Sequence, residues 1–151
     1  MKKILWLALG LIVIIGAIFI YKYEPDEVVS YKEVVGKVYN DDVSISKIII
    51  ENRLKLTDTE ITDKEIIEKI FSAPSDMKLV RTDELPLSEY KIKVYTNPTK
   101  EEPDFTLEAD RENNLFVLAI YELPEPEIGP AVYIYEIKGT NELIELMDNL
   151  K

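Results

Sequence analysis

The chain has 151 residues, 46% of them apolar and 31% charged, with 29 acidic residues against 18 basic ones and a formal net charge of −11. That apolar share is too high for disorder, and the negative charge repels nucleic acid and anionic lipid headgroups. There is no histidine and no cysteine, which excludes Cys–His and Ser–His–Asp nucleophilic sites, thiol redox chemistry and the usual zinc and type 1 copper ligand sets.

In chain order the first element is an apolar run, Ile4 to Tyr21, with 18 residues and no charge. A helix of that length spans about 27 Å, close to the roughly 30 Å of a bilayer's hydrocarbon. Trp6 at one end and Tyr21 and Tyr23 at the other suit the two interfaces. The run ends on bulky residues, Phe19-Ile20-Tyr21-Lys22-Tyr23, whereas a cleaved signal peptide ends on small ones. A lipoprotein would need a cysteine after the run. The reading is an uncleaved transmembrane anchor over residues 1–21. Lys2 and Lys3 precede it, and Glu24, Asp26 and Glu27 follow. The positive-inside rule then keeps the N-terminus in the cytoplasm and places residues 22–151 outside a single-pass cell-membrane protein. Without Lys2 and Lys3, 16 basic residues face 29 acidic ones, a net charge of −13. Such a surface favours cationic partners: divalent ions, basic proteins or basic peptides.

Residues 22–27 read as a stalk, and residues 28–151 as one extracytoplasmic domain. Pro25 and Asp26 suit a helix entry. Val28, Tyr31, Val35 and Val38, with Val34 beside them, form one apolar face and predict a helix over 27–39, ended by Asn40-Asp41-Asp42. Val43–Glu51 is rich in β-branched residues and predicts a strand. Asn52-Arg53 would turn it into a second, Leu54–Thr59. Thr62 with Glu65 makes a capping box for a helix whose face is Ile66, Ile67, Ile70 and Phe71, and which stops before Pro74. Met77–Thr82 reads as an edge strand.

The C-terminal half reads as sheet. In Ser88–Thr96, Tyr90, Ile92 and Val94 alternate with polar residues, as Phe105, Leu107 and Ala109 do further on. Arg111–Asn114 is a turn that predicts a hairpin into Leu115–Tyr121. Leu115–Tyr121 and Ala131–Ile137 are apolar on both faces, which predicts central strands. Between them Glu122 to Pro130 is a rigid acidic loop. Gly139-Thr140-Asn141 caps a final helix with the face Leu143, Ile144, Met147 and Leu150. The fold class is therefore α+β: an N-terminal transmembrane helix, then a mostly antiparallel sheet with helices packed on one face. Ile134 and Ile66 are expected to be buried.

Few chemistries remain. Two S-x-x-K matches occur, Ser44 to Lys47 and Ser75 to Lys78. That spacing works on a helix, where i and i+3 share a face. Ser44 and Lys47 fall in a predicted strand, where they face opposite sides, and Ser75 follows Pro74 in a loop. The companion motifs of penicillin-binding enzymes and signal peptidases are absent. Paired carboxylates are abundant, but nothing marks the sugar-sized cleft a glycosidase needs. Hard cations could meet Glu122, Glu125 and Glu127, or Asp41-Asp42, or Glu101-Glu102 with Asp104, yet no D-x-D-x-D-G loop shapes six to eight oxygens around one point. Tyr133 and Tyr135 share a strand face with Ala131 and Ile137 and read as core, with hydroxyls at the rim. No catalytic, cofactor-binding or metal-ligating residue is assigned, and no cofactor is expected.

Four stretches in order, Ile45–Ile50, Ile61–Ile70, Leu85–Val94 and Val132–Met147, resemble the small YhfM-like domains of Gram-positive cell-envelope proteins. The resemblance covers about residues 44–150. It implies an anchored α+β envelope domain and carries no activity or catalytic residue to transfer. These relatives are often lipoproteins, whereas this chain keeps a helix in place of the lipid-accepting cysteine. The expected function is a non-enzymatic binding or interaction module whose ligand is a protein, a cationic peptide or a cell-wall component. The alternatives are an acidic immunity or decoy factor for cationic toxins, and an accessory subunit of a membrane complex. For the last, Gly10 and Gly16 are spaced too far apart for a G-x-x-x-G face.

Overall fold

Alternating apolar and polar residues build a single antiparallel sheet of eight strands in the order β1-β4-β8-β7-β6-β5-β2-β3. A computed structural model describes residues 27–40, 42–121 and 131–150. The expected anchor, the stalk up to Asp26, Asp41 and the acidic loop 122–130 lie outside the described residues. Among the described residues, no helix is long and apolar enough to cross a membrane. The elements are β1 (Val28–Ser30), α1 (Tyr31–Val35), β2 (Lys47–Asn52), β3 (Thr57–Ile61), α2 (Lys64–Ser72), β4 (Lys78–Arg81), β5 (Tyr90–Tyr95), β6 (Phe105–Asp110), β7 (Leu115–Ile120), β8 (Ala131–Lys138) and α3 (Glu142–Asn149). The class is α+β, as the element pattern predicts.

The pairing registers put Ile48 and Ile50, Ile92 and Val94, Phe105 and Leu107, Phe116 and Leu118, and Tyr135 and Ile137 on one face. Against it pack Tyr31, Val34 and Val35 of α1, Ile67, Ile70 and Phe71 of α2, and Leu143, Ile144 and Met147 of α3. Helix-period and strand-period apolar residues thus close on one core. The other face divides in two. Over β2, β5 and β6 it is a charge ladder, with Lys93 on Glu51 and Lys91 on Glu108 at 3.1 Å. Over β7 and β4 it is apolar, with Leu115, Val117, Ala119 and Val80 all buried. That second apolar face is why β7 and β8 read as interior strands, and both are interior. The β6–β7 hairpin falls where Arg111–Asn114 predicted it, with Ala109 opposite Phe116.

Several boundaries differ, each for a local reason. The helix expected over 27–39 is a strand followed by a shorter helix. Ser30 caps α1, accepting from the Glu33 N–H at 3.2 Å while the Glu33 carboxylate accepts from the Ser30 N–H at 2.7 Å. This capping box restarts the chain three residues into the expected helix, and Val28 joins the sheet with 56% of its surface exposed. That added strand makes β1 the edge, so β4, expected at the edge, lies inside it. The second strand begins at Thr57, not Leu54. The turn takes up Arg53 to Leu56, with Leu56 at φ +53°, and its leucines stay exposed. On α2 the cap is Asp63, whose carboxylate accepts from the Glu65 and Ile66 N–H groups, in place of Thr62. Ile66 is only half-buried at the start of that helix, with Ile67 and Ile70 taking the core positions. Ile134 is also half-buried, because its register opposite Val117 turns it away from the helices.

Candidate functional site

Among the described residues, the core is open beneath β3. Its three core-facing residues are Thr57, Thr59 and Ile61, opposite Asn52, Ile50 and Ile48. Thr57 and Thr59 are short, polar side chains on a face that elsewhere in the sheet holds mostly larger apolar or aromatic residues, and they leave space beneath the edge. That space is a cleft of about 390 Å³. Ile50, Ile61, Ile66, Met147 and Leu150 line it with apolar surface, and Asn52, Lys55, Thr57, Thr59, Tyr90 and Asp148 supply its polar groups. An apolar pocket with a few fixed polar groups is the usual form of a ligand site.

The polar wall is held from behind. The Tyr90 hydroxyl donates to Asp148 Oδ1 at 2.8 Å. Arg111, from the β6–β7 turn, donates through Nη2 to Asp148 Oδ1 and Oδ2 at 3.0 and 2.8 Å, and through Nε to Glu89 at 2.7 Å. Asn52 is buried, and its Oδ1 accepts from the Lys55 N–H at 2.8 Å. Turn, strand and terminal helix are thereby locked around one wall of the cleft. Hydrogen bonds from Arg111 and Tyr90 hold the Asp148 carboxyl below its ordinary range. Burial first, then the bond to Asp148 and the nearby carboxylates, pushes the Tyr90 hydroxyl up to about 12. At neutral pH these shifts keep Asp148 a carboxylate and Tyr90 a neutral phenol. The cleft offers shape, hydrogen bonds and one lysine.

These shifts predict a pH profile for stability. Asp148 is depressed, and so are Asp104 and Asp110, in which bonds from Lys100 and Thr96 and from Asn113 and Leu87 outweigh the upward push of burial. Their contribution is present above the unfolded carboxylate pKa of about 4 and is lost as pH falls through the lower folded values. Tyr90 has the opposite sign. Its contribution is present below the unfolded pKa of about 10 and is lost as pH rises toward about 12. Urea denaturation across pH should show a plateau between about pH 5 and 9 with losses on both sides. Tyr90→Phe should remove part of the alkaline loss; an unchanged alkaline limb would refute the assignment.

The residues singled out in the sequence fall elsewhere. Ser44 precedes β2 and is exposed, not within a strand as expected. Lys47 is directed to Glu60 at 3.9 Å and over the Tyr95 ring at 4.9 Å. Ser75 lies in the turn after α2, with Lys78 exposed at the start of β4. Asp104 is buried and accepts from the Thr96 N–H and hydroxyl and from Lys100 at 2.5 Å, which fixes the β5–β6 connection. Glu101 and Glu102 are exposed, and so is Asp42. Among the described residues, no three acidic side chains gather where they could hold a metal ion. Tyr135 is buried and Tyr133 half-buried on the helix side, with the Arg81 guanidinium 4.8 Å from the Tyr133 ring. None of these lines the cleft.

A second hollow, of about 550 Å³, lies between α1 and α2. Its charged groups, Lys32 and Glu68, are exposed, whereas Asn52 and Tyr90 of the first cleft are buried and fixed, which favours the first. The fold and the cleft together define an α+β domain with a cleft beneath an edge strand. No protein-family model matches the chain, and neither does a curated protein or a solved structure.

Proposed function

We propose that this chain is a non-enzymatic binding module, anchored by residues 1–21 in the cell membrane and facing outward, whose ligand enters the cleft beneath β3. The cleft carries the reading. It is the place where two threonines stand on the core side of the edge strand, and a hydrogen-bonded polar wall that includes the buried Asn52 and Tyr90 faces it. Pre-organised polar groups lower the cost of binding. The proton inventory of that wall supports binding over acid–base catalysis, and the sequence has neither histidine nor cysteine to supply another nucleophile system. The apolar run supports the anchor, and Lys2 and Lys3 support its orientation. The likeness to the YhfM-like envelope domains supports the same location. The partners proposed are a protein, a cationic peptide or a wall component.

The test fills the cleft. Binders are selected from a displayed random-peptide library on the full chain in detergent micelles. Thr59→Trp and Leu150→Trp place bulk in the cleft, and Val132→Trp, on the opposite face, is the control. Selected binders should lose affinity at least about tenfold on both cleft variants, roughly 1.4 kcal/mol, and keep it on the control. Binders indifferent to a filled cleft, or a selection that enriches none, would refute the reading.

A further inference from the structure

Beyond β3 the sheet has no further strand among the described residues. Thr57, Asp58, Thr59 and Glu60 are all exposed, and their register against β2 runs without a break from Thr57 to Ile61. A regular, exposed edge is a template for another strand. At the other end the sheet closes with β1, only three residues long.

The side chains of β3 decide which strand it can accept. Asp58 and Glu60 lie on the charged face, while Thr57, Thr59 and Ile61 lie on the cleft side. A second copy of the chain fits badly. Antiparallel pairing of two β3 strands about Thr59 sets Asp58 of each copy opposite Glu60 of the other. Moving the axis one residue either way sets Asp58 against Asp58 or Glu60 against Glu60. Like charges directly opposite destabilise a strand pair. Among the described residues, the cations beside this edge do not cancel it. Asp58 already faces Glu51 across the β2–β3 pair, and Glu51, Asp58 and Glu60 share Lys47 and Lys93. Arg53 in the preceding turn is taken by Glu108 at 3.5 Å.

We propose that β3 is a strand-addition site for an extended peptide with lysine or arginine at alternate positions and apolar residues between them. The inference rests on the cleft reading and names its ligand class. Main-chain hydrogen bonds to the open edge would hold the peptide, as in other strand-addition complexes. Its basic side chains come to lie beside Asp58 and Glu60, and its apolar ones beside Thr57, Thr59 and Ile61, where they reach the cleft.

The experiment uses the full chain in detergent micelles and three capped synthetic peptides. One is Val-Lys-Val-Lys-Val-Lys-Val, one has glutamate for lysine, and one has proline for the central valine. Anisotropy gives affinity at about 0.15 M salt, where long-range attraction is screened. Amide hydrogen exchange locates the site. The lysine peptide should bind at least about tenfold more tightly than either other peptide, the charge pairs setting the sign, and should slow exchange across Thr57–Ile61. The exposed double change Asp58→Lys, Glu60→Lys should invert the preference toward the glutamate peptide, with the circular dichroism spectrum unchanged. Equal binding of the lysine and proline peptides would mean attraction to net charge alone and overturn the proposal. So would a preference the double change leaves in place. Slowed exchange at Thr57–Ile61 that grows with protein concentration and no peptide would assign the edge to a second copy, and the proposal falls. If library binders depend on the cleft while the lysine peptide does not bind, the cleft reading stands and this inference alone fails.

Discussion

Phe116→Ala is expected to destabilise the domain by about 3–5 kcal/mol. Phe116 is fully buried near the start of β7, its ring 5.2 Å edge-on from Tyr31 of α1 and 6.2 Å from Tyr135 of β8. Truncation removes the transfer free energy of a phenyl ring, leaves a cavity between sheet and helix, and breaks two ring contacts. The surrounding strands are hydrogen-bonded on both sides and cannot collapse into that cavity. A domain of ordinary stability holds about 5–15 kcal/mol in all, so the variant sits near unfolding at room temperature. The urea midpoint checks this, and a loss below about 1 kcal/mol would show that the core is not closed around Phe116.

Asp110→Ala is expected to cost about 3 kcal/mol or more, although it removes no apolar contact worth counting. Asp110 is 1% exposed at the end of β6. Its Oδ2 accepts from the Leu87 N–H at 2.6 Å and from Asn113 Nδ2 at 2.9 Å. Its Oδ1 accepts from the N–H groups of Glu112 and Asn113 at 2.9 and 3.1 Å. One carboxylate therefore holds the β6–β7 turn and the approach to β5. Alanine leaves three backbone donors without their partner. Asp110→Asn keeps acceptor capacity on one side and should cost less. The gap between wild type and the alanine variant should narrow as pH falls through the depressed folded pKa, since the wild type then loses the same bonds. A gap independent of pH would contradict the role assigned to the charge.

Periodicity made most of the sheet legible. Tyr90, Ile92 and Val94 alternate cleanly, the β6–β7 turn is short and polar, and β7 and β8 carry apolar residues on both faces, so strand type and interior placement followed. The N-terminal segment was not legible in the same way. Val28 fits a helical stripe with Tyr31 and Val35 as well as it fits a strand, and only the Ser30–Glu33 capping box separates the two readings. Ile134 shows the limit of apolar runs. When both faces of a strand are apolar, the pattern does not say which face meets the helices.

The cleft was even less visible. Thr57 and Thr59 read as ordinary strand residues until the register places them on the core side of an edge. Its wall joins Arg111 to Asp148, 37 residues apart, and Tyr90 to Asp148, 58 residues apart. No local pattern announces such pairs. An alternating T-x-T beside an isoleucine at a sheet edge is the one signal that could have marked it.

The proposed ligand sits in the cleft beneath β3. Methyl NMR of the full chain with a library-selected binder tests it most directly. Shifts are expected to concentrate at Ile50, Ile61, Ile66, Met147 and Leu150, the apolar lining of the cleft. Shifts concentrated instead at Val80, Val117 and Ile134, on the face turned away from the helices, would contradict it.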